Sequence, residues 1–357
     1  MTNSLIPLVQ GYRNKNLYFS YTTACLLIMD LTPEEVYLVS FDTSEQIIAK
    51  GIKVKHVTHC TPTKYLPIQP FKLDGLLLNS STKEIIDPYG AMKDIEKKRI
   101  TTVHEPEQEL AEKPQLIIRA AALKAETGFS ISERLLLSIS KNVAKLAQTP
   151  GRFIWRELKR LIKSTKPSTG IEFLRLVGAL DIILPELSNC FGITQNELYH
   201  KFTVYDHCLM ACDLCPTNDY TIKFAALVHD VGKPGTKGKN EKGATFHKHE
   251  VLGSKLVANI LNRLELHNSD EGKIIYHLVS NHMYQYDRKW KDSTVMRFVE
   301  RVNLKLEDMN NLSLFPLFIL RQADRLGREV APITQKQRDF ENRIQTVVAS
   351  RSQKSQN

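Results

Sequence analysis

The sharpest chemical signal in the sequence is the adjacent pair His229-Asp230 in FAALVHDVGKP, at the end of an apolar helical run. Imidazole nitrogen and carboxylate oxygen together suit a hydrolytic divalent ion. A carboxylate in such a pair can serve two ions if it bridges them. Further ligands must then arrive from other helices. The candidates are His207 in YDHCLMACDL, His247 and His249 in HKHE, His282 in SNHM and Asp324 in ILRQADRLG. A site of this kind is built inside a helical bundle. A divalent ion held there activates water, so metal-assisted hydrolysis is the expected chemistry. Mixed His and carboxylate ligation admits Mg, Mn, Ni, Co or Fe, as one ion or two. Lys233, just past the pair, reads either as a cation that neutralises an anionic substrate oxygen or as a plain surface lysine. Arg325, beside Asp324, is a weaker candidate of the same kind. His56, His59, His104, His200, His267 and His277 read as ordinary histidines.

The elements that must position these residues are mostly helices. Apolar periodicity predicts helices near residues 205–215, 220–231, 249–266, 271–282, 291–303, 313–327 and 333–350. Upstream, helices are expected over 114–127, 132–147, 153–164 and 169–178. Ser130 with Glu133 three residues on reads as a capping box opening the second of these. The first ~100 residues differ: Val36–Phe41, Glu45–His59 and Phe71–Asn79 have β-rich or alternating character. Ile85–Gly90 reads as a strand running into a turn. The tail SRSQKSQN is polar and expected to fray.

With 357 residues, 42% hydrophobic and 25% charged, the chain has room for two or three ordinary globular domains. No apolar run approaches the ~20 residues of a membrane helix, and the first residues lack a secretory h-region. A cytoplasmic protein with no membrane partner is expected. The net charge of +10 suits a polyanion such as nucleic acid. Of six cysteines, only Cys212 and Cys215 form a CxxC, which reads as reduced thiols on a helix rather than a zinc site.

The order His…His-Asp…Asp resembles the HD superfamily of metal-dependent phosphohydrolases. The resemblance assigns His207, His229, Asp230 and Asp324 to the minimal pattern, and His249 and His282 to a second metal. It prefers His249 over His247, because HKHEVLGSK is similar to the start of the ligand-bearing helix.

A wider resemblance runs from about Phe71 onward. EIIDPYGAMKDIEKKRITTV is similar to the segment after the palm of class II bacterial tRNA nucleotidyltransferases, the CCA-adding enzymes and poly(A)-polymerase relatives. PQLIIRAAALKAETGFSISERLLLSISKNVAKL resembles their neck, and RELKRLIKSTKPSTGIEFLRLVGALDIILPEL their body. The head departs from that pattern. TACLLIMDL, where the family carries its two-carboxylate clamp near Ala24 and Leu26, supplies one carboxylate, Asp30. Where the family has two arginines and an aspartate before a phenylalanine, this sequence has Ile68, Gln69 and Pro70 before Phe71. The nucleotide-selecting EDxxR becomes Glu112-Lys113-Pro114-Gln115-Leu116.

The expected architecture is therefore α+β: a small degenerate nucleotidyltransferase-like, β-containing head (1–110, shortened), an all-α neck and body of RNA-binding type (111–200), an all-α HD domain (201–330), and a C-terminal helix and tail (331–357). The resemblance implies a metal-dependent hydrolase, a 2′,3′-cyclic phosphodiesterase or phosphatase, acting on RNA (tRNA or tRNA fragments) 3′ ends or on cyclic nucleotides, with nucleotidyl transfer lost. A non-catalytic RNA-binding paralogue and a small-molecule nucleotidase are the alternatives.

Overall fold

The computed structural model describes residues 17–19, 24, 36–40, 52–56, 69–80, 82–195, 201–241, 243–284, 286–304, 312 and 315–354. The expectations resting on Leu26, Asp30, Ile68, His59 and His200 lie outside the described residues. The chain divides into two compact units, 1–149 with 156–179, and 150–155 with 180–357. The stretch expected as one helical body over 111–200 is thus shared between them. Residues 150–155 join the second unit through polar anchors. Gly151 N–H donates to Glu265 Oε1 at 2.9 Å, and Trp155 Nε1 donates to Glu271 Oε2 at 2.6 Å.

The first unit holds a five-stranded sheet of β1 (Leu17–Phe19), β2 (Val36–Ser40), β3 (Ile52–His56), β4 (Leu77–Asn79) and β5 (Ile85–Ile86), in the order β3-β2-β1-β4-β5. Only β2 and β3 run parallel. Phe71–Asn79, read as β-rich or alternating, is divided: Lys72–Gly75 form a 3₁₀ turn that buries Asp74, and Leu77–Asn79 form the strand. Helices α1 (Ala91–Glu96), α2 (Pro106–Glu112), α3 (Leu116–Thr127), α4 (Glu133–Asn142), α5 (Gly151–Lys163) and α6 (Pro167–Leu176) follow. Pro106 and Pro167 open α2 and α6 at the position where a missing N–H costs nothing. The capping box is corrected. Ser130 lies in a short strand, β7 (Ser130–Ile131), paired in parallel with β6 (Arg99–Ile100), and its N–H donates to Lys98 O. The cap of α4 is Ser132, without a side-chain bond. Non-local pairing won over the local motif.

Helix α3 is buried over most of its faces because it is built of alanine and aliphatics. It packs on α6, where a Cβ at Gly170 would stand 2.6 Å from Ala121 O, so only glycine lets the two backbones meet. The one charged side chain of α3's first two turns is Arg119, whose Nε donates to Asp74 Oδ2 at 3.0 Å. Arg160 reaches the other oxygen of Asp74 at 3.1 Å and Glu126 at 2.7 Å, while Arg119 also meets Glu157 at 3.2 Å. Burial alone would raise the Asp74 carboxyl, but the two guanidiniums outweigh it and hold it below its ordinary range.

Among its described residues, the second unit is all-α apart from one hairpin. After the short turns α7 (Leu180–Ile183) and α8 (Pro185–Ser188) come α9 (Val204–Asp213), α10 (Tyr220–Val228), the hairpin β8 (Lys237–Asn240) and β9 (Gly243–Phe246), then α11 (His249–Arg263), α12 (Asp270–Asn281), α13 (Asp292–Arg301), α14 (Pro316–Leu326) and α15 (Gln335–Lys354). α10 is largely apolar and buried from Thr221 to Val228, Lys223 included, which places it at the centre. α9, α12 and α14 pack around it. Side-chain caps fix three helix starts: Thr203, Asp219 and Ser269 accept from the N–H of Asp206, Thr221 and Gly272. An aromatic cluster of Tyr284, Tyr286, Phe298, Phe318 and Phe340 joins α13, α14 and α15. α15 continues to Lys354, so Ser350–Lys354, expected as frayed tail, are helical. Among the described residues no helix is long and apolar enough to cross a membrane.

Candidate metal centre

His229 and Asp230 follow directly on α10, at the middle of the second unit. The turn after them crosses the start of α11 at close range: a Cβ on Gly232 would sit 2.1 Å from His249 O. Glycine is therefore required for the His-Asp turn and the His249 helix to meet. α11 itself opens on Lys248 in the left-handed region, φ +59°. A non-glycine residue there costs roughly 1–2 kcal/mol, and such strain clusters at functional sites.

The six residues expected as ligands converge and are all at least nine-tenths buried. On one side, His207 Nε2 lies 3.2 Å from His229 Nε2, 3.4 Å from Asp230 Oδ2 and 3.3 Å from Asp324 Oδ1, with His229 Nε2 to Asp230 Oδ2 at 3.2 Å. On the other, Asp230 Oδ1 faces His249 Nε2 at 3.3 Å and His282 Nε2 at 3.8 Å. Two candidate ligand groups result, His207-His229-Asp230 and Asp230-His249-His282, sharing Asp230. His249, not His247, faces Asp230; His247 is exposed.

These residues fit a divalent ion. Donors about 2.1 Å from one ion, at ordinary coordination angles, stand about 3.0–3.4 Å apart, the spacing of the first group. The Nδ1 atoms of His229, His249 and His282 lie 2.8, 2.8 and 2.7 Å from the carbonyls of Ala226, Phe246 and Val279. A carbonyl only accepts, so each Nδ1 donates, and each Nε2 is left to point into the site. His249 Nε2 and His282 Nε2 are buried and make no hydrogen bond. Burial works against charge on His229, yet Asp230 and Asp324 outweigh it and hold its pKa up at about 9. Burial would likewise raise Asp230 and Asp324; the surrounding cationic and hydrogen-bonding groups hold both well below the carboxylate range. The field that retains a proton on His229 favours a divalent cation in its place.

Three residues around the ligands escaped the sequence. Gln195 Oε1 accepts from Lys233 Nζ at 2.7 Å, while its amide donates to Phe202 O and Thr203 O ahead of α9. Arg321 and Arg328 hold Asp324 Oδ2 at 3.2 and 2.8 Å, leaving Oδ1 to the histidines. Their spacing of three and four residues from Asp324, Arg321 on α14 and Arg328 in the turn just after it, was the available signal; Gln195 offered none. Lys233 is placed differently from expectation. Its ammonium is buried, 2.6 Å from Asp230 Oδ2, and serves that carboxylate rather than open space. Arg325 turns away and donates to Ala331 O at 2.7 Å. Cys212 and Cys215 are buried, and burial pushes the Cys215 thiol up to about 12, so neither is a thiolate.

Comparison with known proteins bears on the whole chain. Residues 198–329 match the family described as HD domain, and residues 128–191 match "Probable RNA and SrmB- binding site of polymerase A". The A-adding tRNA nucleotidyltransferase of Deinococcus radiodurans is 30% identical over 255 residues, 68% of this chain and 57% of that protein. The Multifunctional CCA protein of Teredinibacter turnerae is 31% identical over 259 residues, 68% of this chain and 59% of that one. The chain belongs to the class II CCA-adding nucleotidyltransferase family. It spans 50 to 60% of the length of these and similar curated relatives. The fold agrees: the Bacillus stearothermophilus CCA-adding enzyme in complex with CTP superposes with a TM-score of 0.56 at 15% identity, over 97% of this chain and 82% of that one.

Proposed function

We propose that this member of the family is a metal-dependent phosphohydrolase whose centre is the His207-His229-Asp230-His249-His282-Asp324 cluster, acting on 2′,3′-cyclic phosphates at RNA 3′ ends or on cyclic nucleotides. The observation that carries this reading is the shared Asp230, one oxygen turned to each of two imidazole groups whose Nε2 atoms face inward. A divalent ion bound there supplies Lewis acidity and activates water, whichever of Mg, Mn, Ni, Co or Fe it is. The protein's part is positional. Asp230 and Asp324 supply negative charge, the backbone carbonyls fix the imidazole tautomers, and Lys233 balances Asp230. Hydrolysis adds water across one P–O bond, and the released ribose oxygen takes the proton. RNA as partner, tRNA or its fragments, is supported by the description of the family matched at 128–191 and by the net charge of +10.

The test is a metal screen. Stripped protein, reloaded with each ion, is incubated with 2′,3′-cyclic AMP and with an RNA ending in a 2′,3′-cyclic phosphate. Turnover that vanishes in Asp230→Ala supports the reading; RNA binding without turnover under every ion replaces it with a binding protein. The names of the relatives favour a second reading, retained nucleotidyl transfer. The single carboxylate in TACLLIMDL speaks against it. Incorporation of labelled CMP or AMP into tRNA would establish it.

A further inference from the structure

Between Lys233 and His249 the sequence carries four more lysines, Lys237, Lys239, Lys242 and Lys248, against one acidic residue, Glu241. This segment is the β8–β9 hairpin, and both of its ends are fixed to the metal centre. Lys233, before it, is bound to Asp230; Phe246, at its end, accepts from His249 Nδ1. The register sets which way the lysines face. Lys237 stands opposite Phe246 and Lys239 opposite Ala244. Directly opposed residues of an antiparallel pair share a face, and alternate residues of a strand share it too. Phe246 on that face carries Lys233 Nζ 5.6 Å from its ring centre. The lysine face is therefore the face turned toward the centre. Gly238, Asn240, Gly243 and Thr245 make up the other side, and among these described strand residues there is no cation. Lysines that only protected an exposed edge from pairing would not need to select this face. β8 is exposed along its whole length; Lys237 also donates to Thr194 Oγ1 at 3.0 Å, beside Gln195. Lys237 and Lys239 stand about 7 Å apart along the strand, on the scale of consecutive phosphates in a nucleic-acid strand.

We propose that this hairpin is a phosphate-reading arm that makes the centre prefer the 3′ end of an RNA strand to a free nucleotide. The inference rests on the hydrolase reading above and gives it a substrate class. The terminal phosphate lies at the ligand cluster, and the preceding backbone phosphates lie on Lys237 and Lys239. A mononucleotide has no second phosphate and makes no use of the arm.

The experiment compares the full chain with Lys237→Glu/Lys239→Glu and with the milder Lys237→Gln/Lys239→Gln. Substrates are 2′,3′-cyclic AMP and a short oligoribonucleotide ending in a 2′,3′-cyclic phosphate. Expected is a loss of about 20-fold or more in kcat/KM on the oligonucleotide, less in the Gln pair, with cyclic AMP turnover and bound metal within twofold of the parent. Binding is read separately, by anisotropy of the same oligonucleotide with a 3′-phosphate. The slope of log K against log salt should fall in magnitude by about 1.4, at about 0.7 for each single-strand phosphate released. Equal losses on both substrates, or unchanged binding and salt slope, overturn the arm. If the parent turns over neither substrate with any ion, the hydrolase reading fails, and the salt slope alone still decides whether the hairpin holds RNA.

Discussion

Each unit of the molecule buries a cluster of charged groups, and the two clusters are built in opposite ways. In the first, Asp74 is wholly buried between Arg119 and Arg160, with Glu126 and Glu157 taking the remaining guanidinium edges. Both of its carboxylate oxygens meet a fixed cationic donor. In the second, Asp230 and Asp324 are ringed by imidazoles, and two of the inward Nε2 atoms make no hydrogen bond. Protein groups complete the first cluster by themselves. Removing charged groups from water is recovered only when every one is paired, so the second cluster is arranged for a cation that comes from outside. An ionic cluster in a core is thus a structural device when its hydrogen bonds close, and a candidate site when they do not.

The contrast can be broken most directly at Asp230. Asp230→Ala removes the carboxylate shared by both ligand groups, and metal-dependent turnover should fall by more than about 1,000-fold, above the 10–100-fold typical of outer partners. Metal content by mass spectrometry should fall with it, while the unfolding midpoint of the first unit stays in place. Asp74→Ala should do the reverse. It takes the shared carboxylate from two part-buried guanidiniums and should cost about 3–5 kcal/mol in denaturant unfolding, with metal content of the folded protein unchanged. If both variants lose metal equally, the two clusters are not independent. Arg328→Ala frees Asp324 Oδ2 and should weaken metal binding by about 10–100-fold, measured by titrating stripped protein. The smallest effect is in pH. Asp74 has a folded pKa below its ordinary value of 3.8. Its contribution is therefore present above pH ~4 and lost as pH falls through the folded value. Acid unfolding of Asp74→Asn should lack that part of the loss.

How much of this was legible depends on what kind of information each feature uses. The apolar periods of α10, α12 and α14 stand in the sequence, as does the order His207, His229, Asp230, His249, His282, Asp324 that these helices bring together with α9 and α11. The choice of His249 over His247 came from resemblance, and the structure places His249 at Asp230 because α11 begins at that residue. Features set by non-local contacts were not legible. Ser130 resembles a cap but pairs with Arg99, thirty-one positions upstream along the chain. Asp74 in KLDG reads as a strand residue until Arg119 and Arg160 arrive from distant helices. Gln195 gains its role only when Lys233 and the residues before α9 meet it.

The tautomers of three of the four histidines at the centre, His229, His249 and His282, are set by main chain alone. Ala226, Phe246 and Val279 contribute only their carbonyls, each three residues ahead of the imidazole it holds. Side-chain replacement at these three positions cannot remove the contact, so a conventional alanine scan passes over it in silence. The orientation of these three ligands is inherited from backbone geometry, the helix end at His229 and His282 and the turn from β9 into α11 at His249, rather than from any neighbour's identity. Drift at surrounding positions can therefore change packing and polarity while the ligand tautomers persist, and backbone breakers such as proline are the changes that reach them.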